Sequence, residues 1–135
     1  MSRAVVLDTN ILVSAALKPG SDIARILERV LLRQAPVYAC PSIAAEYREG
    51  LSRPRFRPKG LPPAWLPRLL LIAFHEPEPE PWPMEGPDPD DLVFLALAKA
   101  IGAALVTGNL ADFPMEIRGG VIVMSPSEYL GQILE

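Results

Sequence analysis

The chain has 135 residues, of which 50% are hydrophobic and 21% charged, and its formal net charge is -3. A chain of this size and composition can bury a substantial core, which excludes a largely disordered protein, and we expect residues 1–135 to form a single domain. The negative charge argues against nucleic-acid binding through bulk positive charge, and the apolar runs are shorter than the roughly 20 residues of a membrane helix, so we expect a soluble, cytoplasmic protein with no membrane contact.

The N-terminal part of the sequence alternates between short apolar runs and amphipathic stretches. The first apolar run lacks alternation and ends in polar residues, which predicts a buried strand followed by a turn. A stripe of apolar side chains behind Ser21 is typical of an amphipathic helix capped by that serine. The only cysteine, Cys40, suits a small buried core residue. The predicted elements are a strand at 4–7, a helix at 21–33, a strand at 37–40 and a helix near 43–51.

Proline dominates the next part of the sequence. Closely spaced prolines in 53–63 remove amide donors and bias the residues before them toward extended backbone, which predicts an irregular segment. A helix is expected to resume around 64–74. The acidic, proline-rich stretch 76–89 predicts a connector that is extended and exposed rather than packed.

The C-terminal part contains the most apolar helix of the chain. Residues 89–102 are apolar nearly all round, which predicts a central, largely buried helix. Strands are predicted at 104–106 and 121–124, and Ser125 with Glu128 forms a capping-box signature for a final helix. The alternation of strands and helices predicts a three-layer α/β/α domain with a mainly parallel central sheet.

Rare polar residues gather after two of the predicted strands. Asn10 and Asn109 are the only asparagines of the chain, and Thr9 and Thr107 are its only threonines. They fall in the segments VLDTN and LVTGN, each placed directly after an apolar strand-like run. Functional groups gather at the carboxyl ends of parallel strands, so this distribution predicts a functional crevice around Asp8.

Four carboxylates could converge at this crevice. Asp8 follows the first strand and Asp91 starts the buried helix, while Glu46 lies in the helix after the second strand and Asp112 follows a later strand. Like charges brought together repel unless a cation is present, and Mg²⁺ and Mn²⁺ prefer oxygen ligands. With phosphate as a further ligand, such an ion supports phosphodiester hydrolysis by activating water. The only histidine, His75, is expected in a linker, and this chemistry does not need it.

Each acid also has a purely structural interpretation. Asp8 could form a turn with its own backbone. Asp91 could belong to a helix N-terminus that is capped by Asp88. Glu46 and Asp112 could be ordinary solvated carboxylates. The combination of the four is far more specific than any one of them.

Four motifs follow one another along nearly the whole chain: VLDTNILVSA, the helical Glu46, the D-x-x-F-L-A-L-A run from Asp91 to Ala98, and VTGNLADF from Val106 to Phe113. In this order they closely resemble the PIN-domain ribonucleases, in particular the VapC-like toxins of bacterial and archaeal toxin–antitoxin pairs. The resemblance implies an Mg²⁺- or Mn²⁺-dependent endoribonuclease with a four-acid site. It also implies a protein that is usually homodimeric and is inhibited by a cognate antitoxin protein.

The resemblance also implies roles for individual residues. Asp8 and Asp91 correspond to primary metal ligands, and Glu46 corresponds to an acid that orients metal or water. Many family members have an acid two residues after the motif threonine, where this chain has Asn109. A common variant completes the set with a later acid, which makes Asp112 the fourth acid and a further metal ligand. The supporting polar groups are then Asn10, Thr107 and Asn109.

The basic stretch RPRFRPK at 53–59 offers side chains that could bind RNA. In single-stranded RNA recognition, arginines contact phosphates and aromatic rings stack on bases. The RNA-binding candidates are therefore Arg53, Arg55, Phe56 and Arg57. A solvated loop is the structural alternative for this stretch.

Two other functions fit parts of the sequence. A phosphatase of the haloacid-dehalogenase type also has an Asp after its first strand, but it would need an acid at position 10 and a late lysine. Here position 10 is Asn10, and Lys99 is in the predicted buried helix. A PIN-like module that binds RNA or a protein without cutting is the second alternative, and the presence of all four acids favours the nuclease over it.

Overall fold

The computed structural model describes residues 3–133 of the chain. Its strands are β1 (Val5–Leu7), β2 (Tyr38–Ala39), β3 (Phe74–His75), β4 (Ala104–Val106) and β5 (Val123–Met124). Its α-helices are α1 (Thr9–Leu17), α2 (Asp22–Leu31), α3 (Pro41–Leu51), α4 (Leu66–Ile72), α5 (Leu92–Ile101) and α6 (Pro126–Ile133).

The strands form a parallel sheet with β1 near its centre. β4 pairs with both β1 and β5, and β2 pairs with β3, in each case in parallel register. A bridge between Val5 and Val37 places β2 beside β1, so the strand order is β3-β2-β1-β4-β5. Helix α5 packs on β1 and β4, whereas α2 packs against α1, α4 and α6. The predicted three-layer α/β/α architecture with a parallel sheet is confirmed.

The most apolar segments of the sequence form the middle of the molecule. Every residue of β1 and β4 is buried, as expected for strands that are covered on both faces. Residues 94–98 of α5 are buried as well, which confirms the prediction of a central helix. Gly102 ends this helix in the left-handed conformation, at φ +68°, which glycine adopts without steric cost. Among the described residues, none of the helices is long and apolar enough to cross a membrane.

Two predicted helix caps are present. The Ser21 hydroxyl accepts a hydrogen bond from the backbone N–H of Ala24, at 3.2 Å, and α2 starts one residue after this serine. Before α6, the Ser125 hydroxyl accepts from the Glu128 N–H at 3.2 Å, and the Glu128 carboxylate accepts from the Ser125 N–H at 3.0 Å. These reciprocal bonds satisfy amides that helix geometry leaves unpaired.

The polar turn predicted after β1 is instead the start of helix α1. Asp8 has extended backbone and is the N-cap, and its carbonyl accepts from the Ile11 N–H at 3.0 Å. The apolar residues that follow then bury one side of the helix, including Ile11, Leu12 and Ala15. Thr9 and Asn10 therefore occupy the first turn of a helix whose N-terminus lies at the end of the central strand.

In the proline-rich part, the predicted helix is present as α4, whereas the predictions of an irregular segment and of a linker at His75 were wrong. Residues 54–59 form a 3₁₀ helix, because proline is tolerated at the start of a helix and Gly60 ends it with φ +86°. The helix expected around 64–74 ends at Ile72, and Phe74 begins β3 with an N–H bond to the Val37 carbonyl at 2.9 Å. His75 consequently lies in an edge strand and not in a linker.

The acidic connector 76–89 is packed in places, which corrects the prediction of a fully exposed segment. The Glu78 carboxylate accepts hydrogen bonds from both the N–H and the hydroxyl of Ser42, in the first turn of α3. The Trp82 indole donates to the Ile117 carbonyl at 2.8 Å, and Trp82 and Met84 pack against the core. The side chains of Trp82 and Met84 provide the apolar area for this packing. The abundance of Pro and Glu in the segment did not indicate it.

Candidate acid pocket at the carboxyl edge of the sheet

The pairing of β1 with β4 brings the two rare polar segments together. Leu7 lies opposite Val106 in the parallel register, so the chain leaves both strands at the same edge of the sheet. The Asp8 N–H donates to the Val106 carbonyl at 2.9 Å and extends this pairing by one residue. Asp8 and Thr107 are therefore neighbours, although 99 positions separate them in sequence.

A network of neutral donors holds the Asp8 carboxylate. The Thr107 hydroxyl donates to Asp8 Oδ2 at 2.8 Å, and Asn10 Nδ2 donates to the same oxygen at 3.1 Å. Asn10 Oδ1 accepts from the Gly108 N–H at 3.0 Å, which fixes the orientation of the Asn10 amide. The Asn109 N–H donates to the Thr107 hydroxyl at 3.0 Å. The residues that orient Asp8 thus belong to Asn and Thr, two residue types that occur only twice each in the chain.

The four predicted acids line one open pocket, which we name the acid pocket and which has a volume of about 300 Å³. Asp8 lies at the end of β1 and is 4% exposed, whereas Glu46, Asp91 and Asp112 are partly exposed around it. Three different elements carry these acids: α3, the 3₁₀ turn Pro89–Asp91 before α5, and the 3₁₀ turn Leu110–Asp112 after β4. The predicted convergence of the four carboxylates on one crevice is the arrangement that the structure has.

The acids line the pocket as separate groups. Among the residues that the structure describes, no three His, Cys, Asp or Glu side chains are close enough together to hold a metal ion between them. Coordination of one ion by several of these carboxylates would therefore require their side chains to turn toward each other.

Opposing effects act on the pKa of Asp8. Burial raises the pKa, and the negative charge of Asp112 raises it further. Hydrogen bonds from the Thr107 hydroxyl and from the Thr9 and Asn10 backbone N–H groups lower it. Burial is the largest of these effects, so the pKa of Asp8 lies above its ordinary value of 3.8.

Electrostatic crowding is greatest at Asp91. Burial, followed by the charge of Asp8, raises the pKa of Asp91 from 3.8 to about 7, and three further acids contribute: Asp88, Asp112 and Glu46. Burial also raises the pKa of Glu46, to which Asp8 adds a repulsive effect and Arg53 an attractive one. These carboxylates are close enough for each to raise the cost of charging the others.

The basic stretch contributes one side of the acid pocket. Arg53, Arg55 and Phe56 line the pocket, and the Arg55 guanidinium lies 4.8 Å from the centre of the Phe56 ring. Within residues 3–133, neither arginine is engaged in an ion pair. Arg57, the fourth candidate of this stretch, does not line the pocket.

The pocket also includes residues beyond the predicted site residues. Asp88 caps the turn before α5, with its carboxylate accepting from the Asp90 N–H at 3.0 Å as predicted, but it also lines the pocket. Thr9 and Gly50 line it as well. A signal for Gly50 was available, since it lies one helical turn after Glu46. Of the supporting groups, Asn10 lines the pocket, whereas Thr107 acts through Asp8, and Asn109 contributes its backbone to the network.

The fold and the site define an α/β domain with a carboxylate-rich pocket at the carboxyl ends of parallel strands. Residues 4–111 match the family described as PIN domain. This match spans most of the chain, and the chain belongs to the PIN domain family, which removes the phosphatase alternative. No match was found among curated proteins.

Three solved structures share this fold. VapBC2 from Rickettsia felis, bound to a DNA fragment from its promoter, is similar to this chain with a TM-score of 0.63 and 20% identity, covering 90% of this chain and 98% of that chain. FitAB bound to an IR36 DNA fragment has a TM-score of 0.57, 20% identity and coverages of 90% and 94%. FitAcB from Neisseria gonorrhoeae has a TM-score of 0.56, 20% identity and coverages of 91% and 98%.

Proposed function

We propose that the protein is an Mg²⁺- or Mn²⁺-dependent endoribonuclease that hydrolyses RNA phosphodiester bonds. The observation that carries the proposal is the acid pocket, in which Asp8, Glu46, Asp91 and Asp112 meet next to two arginines. Membership in the PIN domain family supports the same conclusion, since proteins of this family are generally nucleases.

The chemistry of the pocket suits a hard divalent cation. Its negatively charged groups are carboxylates, whose oxygen atoms are the ligands that Mg²⁺ and Mn²⁺ prefer. Burial and, after it, the negative charge of neighbouring acids raise the pKa of Asp91, and a cation would relieve the repulsion between these charges. We propose Asp8, Asp91 and Asp112 as metal ligands, with Glu46 orienting the metal or the attacking water.

Each residue of the site then has a separate role in the hydrolysis. When bound, the metal supplies a water of lowered pKa and stabilises charge on the phosphate oxygens. Thr107 and Asn10 hold Asp8 in one orientation through their hydrogen bonds to its Oδ2 atom. Burial raises the pKa of Glu46, and a carboxylate with a raised pKa is a stronger base for accepting a proton from water.

RNA binding is proposed for the basic side of the pocket. Arg53 and Arg55 can contact phosphates of a bound RNA strand, and Phe56 can stack on a base. The partly buried Phe56 ring also packs against the core, which keeps its position relative to the acids. Arg57 was predicted to belong to this group, and its place outside the pocket gives it at most a peripheral role.

We further propose that the protein is the toxin of a toxin–antitoxin pair and acts in the cytoplasm as a homodimer under the control of a cognate antitoxin. The similarity to VapBC2 and FitAB over 90% of this chain supports this biological setting. Co-expression with the product of a small neighbouring reading frame tests it, and we expect co-purification and loss of RNA cleavage. Cleavage that persists in a purified complex would contradict the inhibitory role.

RNA cleavage by the purified protein is the direct test of catalysis. We expect cleavage of single-stranded RNA with Mg²⁺ or Mn²⁺ and none with EDTA. The Asp8→Asn variant keeps side-chain size but loses a charge, and we expect it to abolish cleavage while the melting temperature without metal is kept or slightly raised. Glu116→Gln is a matched control, because this exposed carboxylate does not line the acid pocket. Cleavage by Asp8→Asn at the wild-type rate would favour the non-cutting binding module.

A further inference from the structure

Helices α1 and α3 approach each other unusually closely beside the acid pocket. Gly50 is buried near the end of α3, and a β-carbon built on it would lie 2.7 Å from Thr9 Cγ2. In proteins, a β-carbon essentially never lies within 3.0 Å of a non-bonded heavy atom from another part of the chain. Glycine inside a helix costs about 1 kcal/mol relative to alanine. At position 50, unlike at Gly131 in α6, the space that a β-carbon would fill is occupied by the Thr9 methyl group.

A second contact holds α3 to the same corner of the fold. The buried Tyr47 hydroxyl donates to the carbonyl of Leu7, the residue before Asp8, at 2.5 Å. Glu46 precedes Tyr47 and lies four residues before Gly50, so it lies on the same side of α3 as Gly50. The position of Glu46 relative to Asp8 is therefore set by two contacts, one polar and one steric.

We propose that Gly50 is a positioning residue of the acid pocket, where the absence of a side chain lets α3 contact Thr9 and thereby fixes the separation of Glu46 from Asp8. This inference rests on the proposed function, in which Asp8 is a metal ligand and Glu46 orients the metal or the attacking water. A methyl group at position 50 would push α3 away from α1 without removing a polar group. Displacement of a reacting group by about 1 Å can lower a rate by a factor on the order of 100.

A double-mutant cycle isolates this contact. Thr9→Ser removes the Cγ2 methyl group that a β-carbon at position 50 would press against, and it keeps the hydroxyl. We expect Gly50→Ala to weaken Mn²⁺ binding and lower kcat by about tenfold or more in the wild-type background. In the Thr9→Ser background, the same substitution should change either quantity by less than about threefold, because the atom that causes the clash is absent. KM for RNA should change less than kcat, since Arg53 and Arg55 remain.

The chain provides a matched control for the substitution itself. Gly131 lies in helix α6, and a β-carbon built on it meets no atom within 4 Å. Gly131→Ala should therefore leave Mn²⁺ affinity and kcat unchanged. Melting temperatures of all variants without metal show whether each is folded. If Gly50→Ala alone does not fold, the double variant is compared with Thr9→Ser instead. The proposal then requires the Mn²⁺ affinities of these two proteins to agree within about threefold.

The outcomes separate this inference from the proposed function. Equal losses of Mn²⁺ affinity and kcat in the two backgrounds would overturn the positioning role of Gly50, as would a Gly50→Ala variant with wild-type values of both. Wild-type protein that binds Mn²⁺ without cutting RNA would overturn only the nuclease, because Mn²⁺ affinity, measured by titration calorimetry, still tests Gly50. Wild-type protein that does not bind Mn²⁺ would overturn both proposals.

Discussion

Removal of one charge from the acid pocket should change the pH dependence of stability in the metal-free protein. Burial and neighbouring acids raise the pKa of Asp91 to about 7 from its ordinary value of 3.8. Between these two values, the native protein retains a proton that the unfolded chain has lost. The stability contributed by this group is therefore fully present below about pH 4 and is lost as the pH rises through about 7. The substitution Asp91→Asn removes this dependence.

The size of the effect follows from the same two pKa values. For a group in a dry interior, a rise from 3.8 to about 7 corresponds to about 4 kcal/mol of unfolding free energy. Asp91 is partly exposed, and solvent screening reduces the expected cost to about 1–2 kcal/mol. For a domain of this length, a loss of that size lowers the melting temperature by about 3–8 °C.

Circular dichroism melts in EDTA between pH 5 and pH 8 measure the effect. We expect the melting temperature of Asp91→Asn to exceed that of the wild type by about 3–8 °C at pH 8, and the difference to shrink toward pH 5. Asp8 and Glu46 also have raised pKa values, so the difference between the two proteins, and not the wild-type curve alone, isolates Asp91. Glu116→Gln is the control, because this exposed carboxylate does not line the pocket and does not shift the pKa of its acids.

Metal addition extends the same experiment. A cation competes with the proton on Asp91, so Mn²⁺ should stabilise the wild type more at pH 8 than at pH 5.5. The reasoning would be refuted by parallel melting curves of wild type and Asp91→Asn across the pH range in EDTA. A wild-type melting temperature that millimolar Mn²⁺ leaves unchanged at pH 8 would count against the metal site itself.

Two further substitutions test other parts of the site. Thr107→Val keeps the shape of the side chain but removes the hydroxyl that donates to Asp8, and we expect a loss of about 1–3 kcal/mol in unfolding free energy at pH 8, measured by urea titration. Unchanged stability would mean that water replaces this donor. The double substitution Arg53→Ala and Arg55→Ala should weaken RNA binding and reduce its salt dependence by the amount expected for the loss of about two phosphate contacts. Arg57 lies outside the pocket, so Arg57→Ala should have a smaller effect. Equal effects of all three arginines would mean that residues 53–59 act as a general basic surface and not as part of the pocket.

The sequence predicted the parts of the fold that depend on long apolar runs. β1 and β4 are buried on both faces, and α5 is buried along residues 94–98, so their composition already differs from that of surface elements. Parallel pairing then places the residues that follow each strand at one edge of the sheet. This is why Asp8 and Thr107 could be assigned to one crevice before their contact was known.

Local backbone details were less predictable from composition. Whether the segment after Leu7 turns or begins a helix depends on the Asp8 cap and on burial of the next apolar residues, and the two possibilities share one pattern. The packing of Trp82 depends on an indole contact with Ile117, which lies 35 positions away in sequence. The sequence places Gly50 one helical turn after Glu46, but the reason for its small size is an atom of Thr9 on another helix, which no local pattern shows. Each of these features is set by a tertiary contact that outweighs local propensity.

The way Asp8 is held explains why its charge remains available to a ligand. Its hydrogen-bond partners, Thr107 and Asn10, are neutral donors that orient a carboxylate without cancelling its charge. Within residues 3–133, no Lys or Arg side chain forms an ion pair with an acid of the pocket. An ion pair would have stabilised the folded protein more directly, since it would lower the pKa values that burial and crowding raise. The chain instead retains several mutually repelling acids beside two free arginines, which is the charge distribution that a divalent cation and a phosphate would complete together.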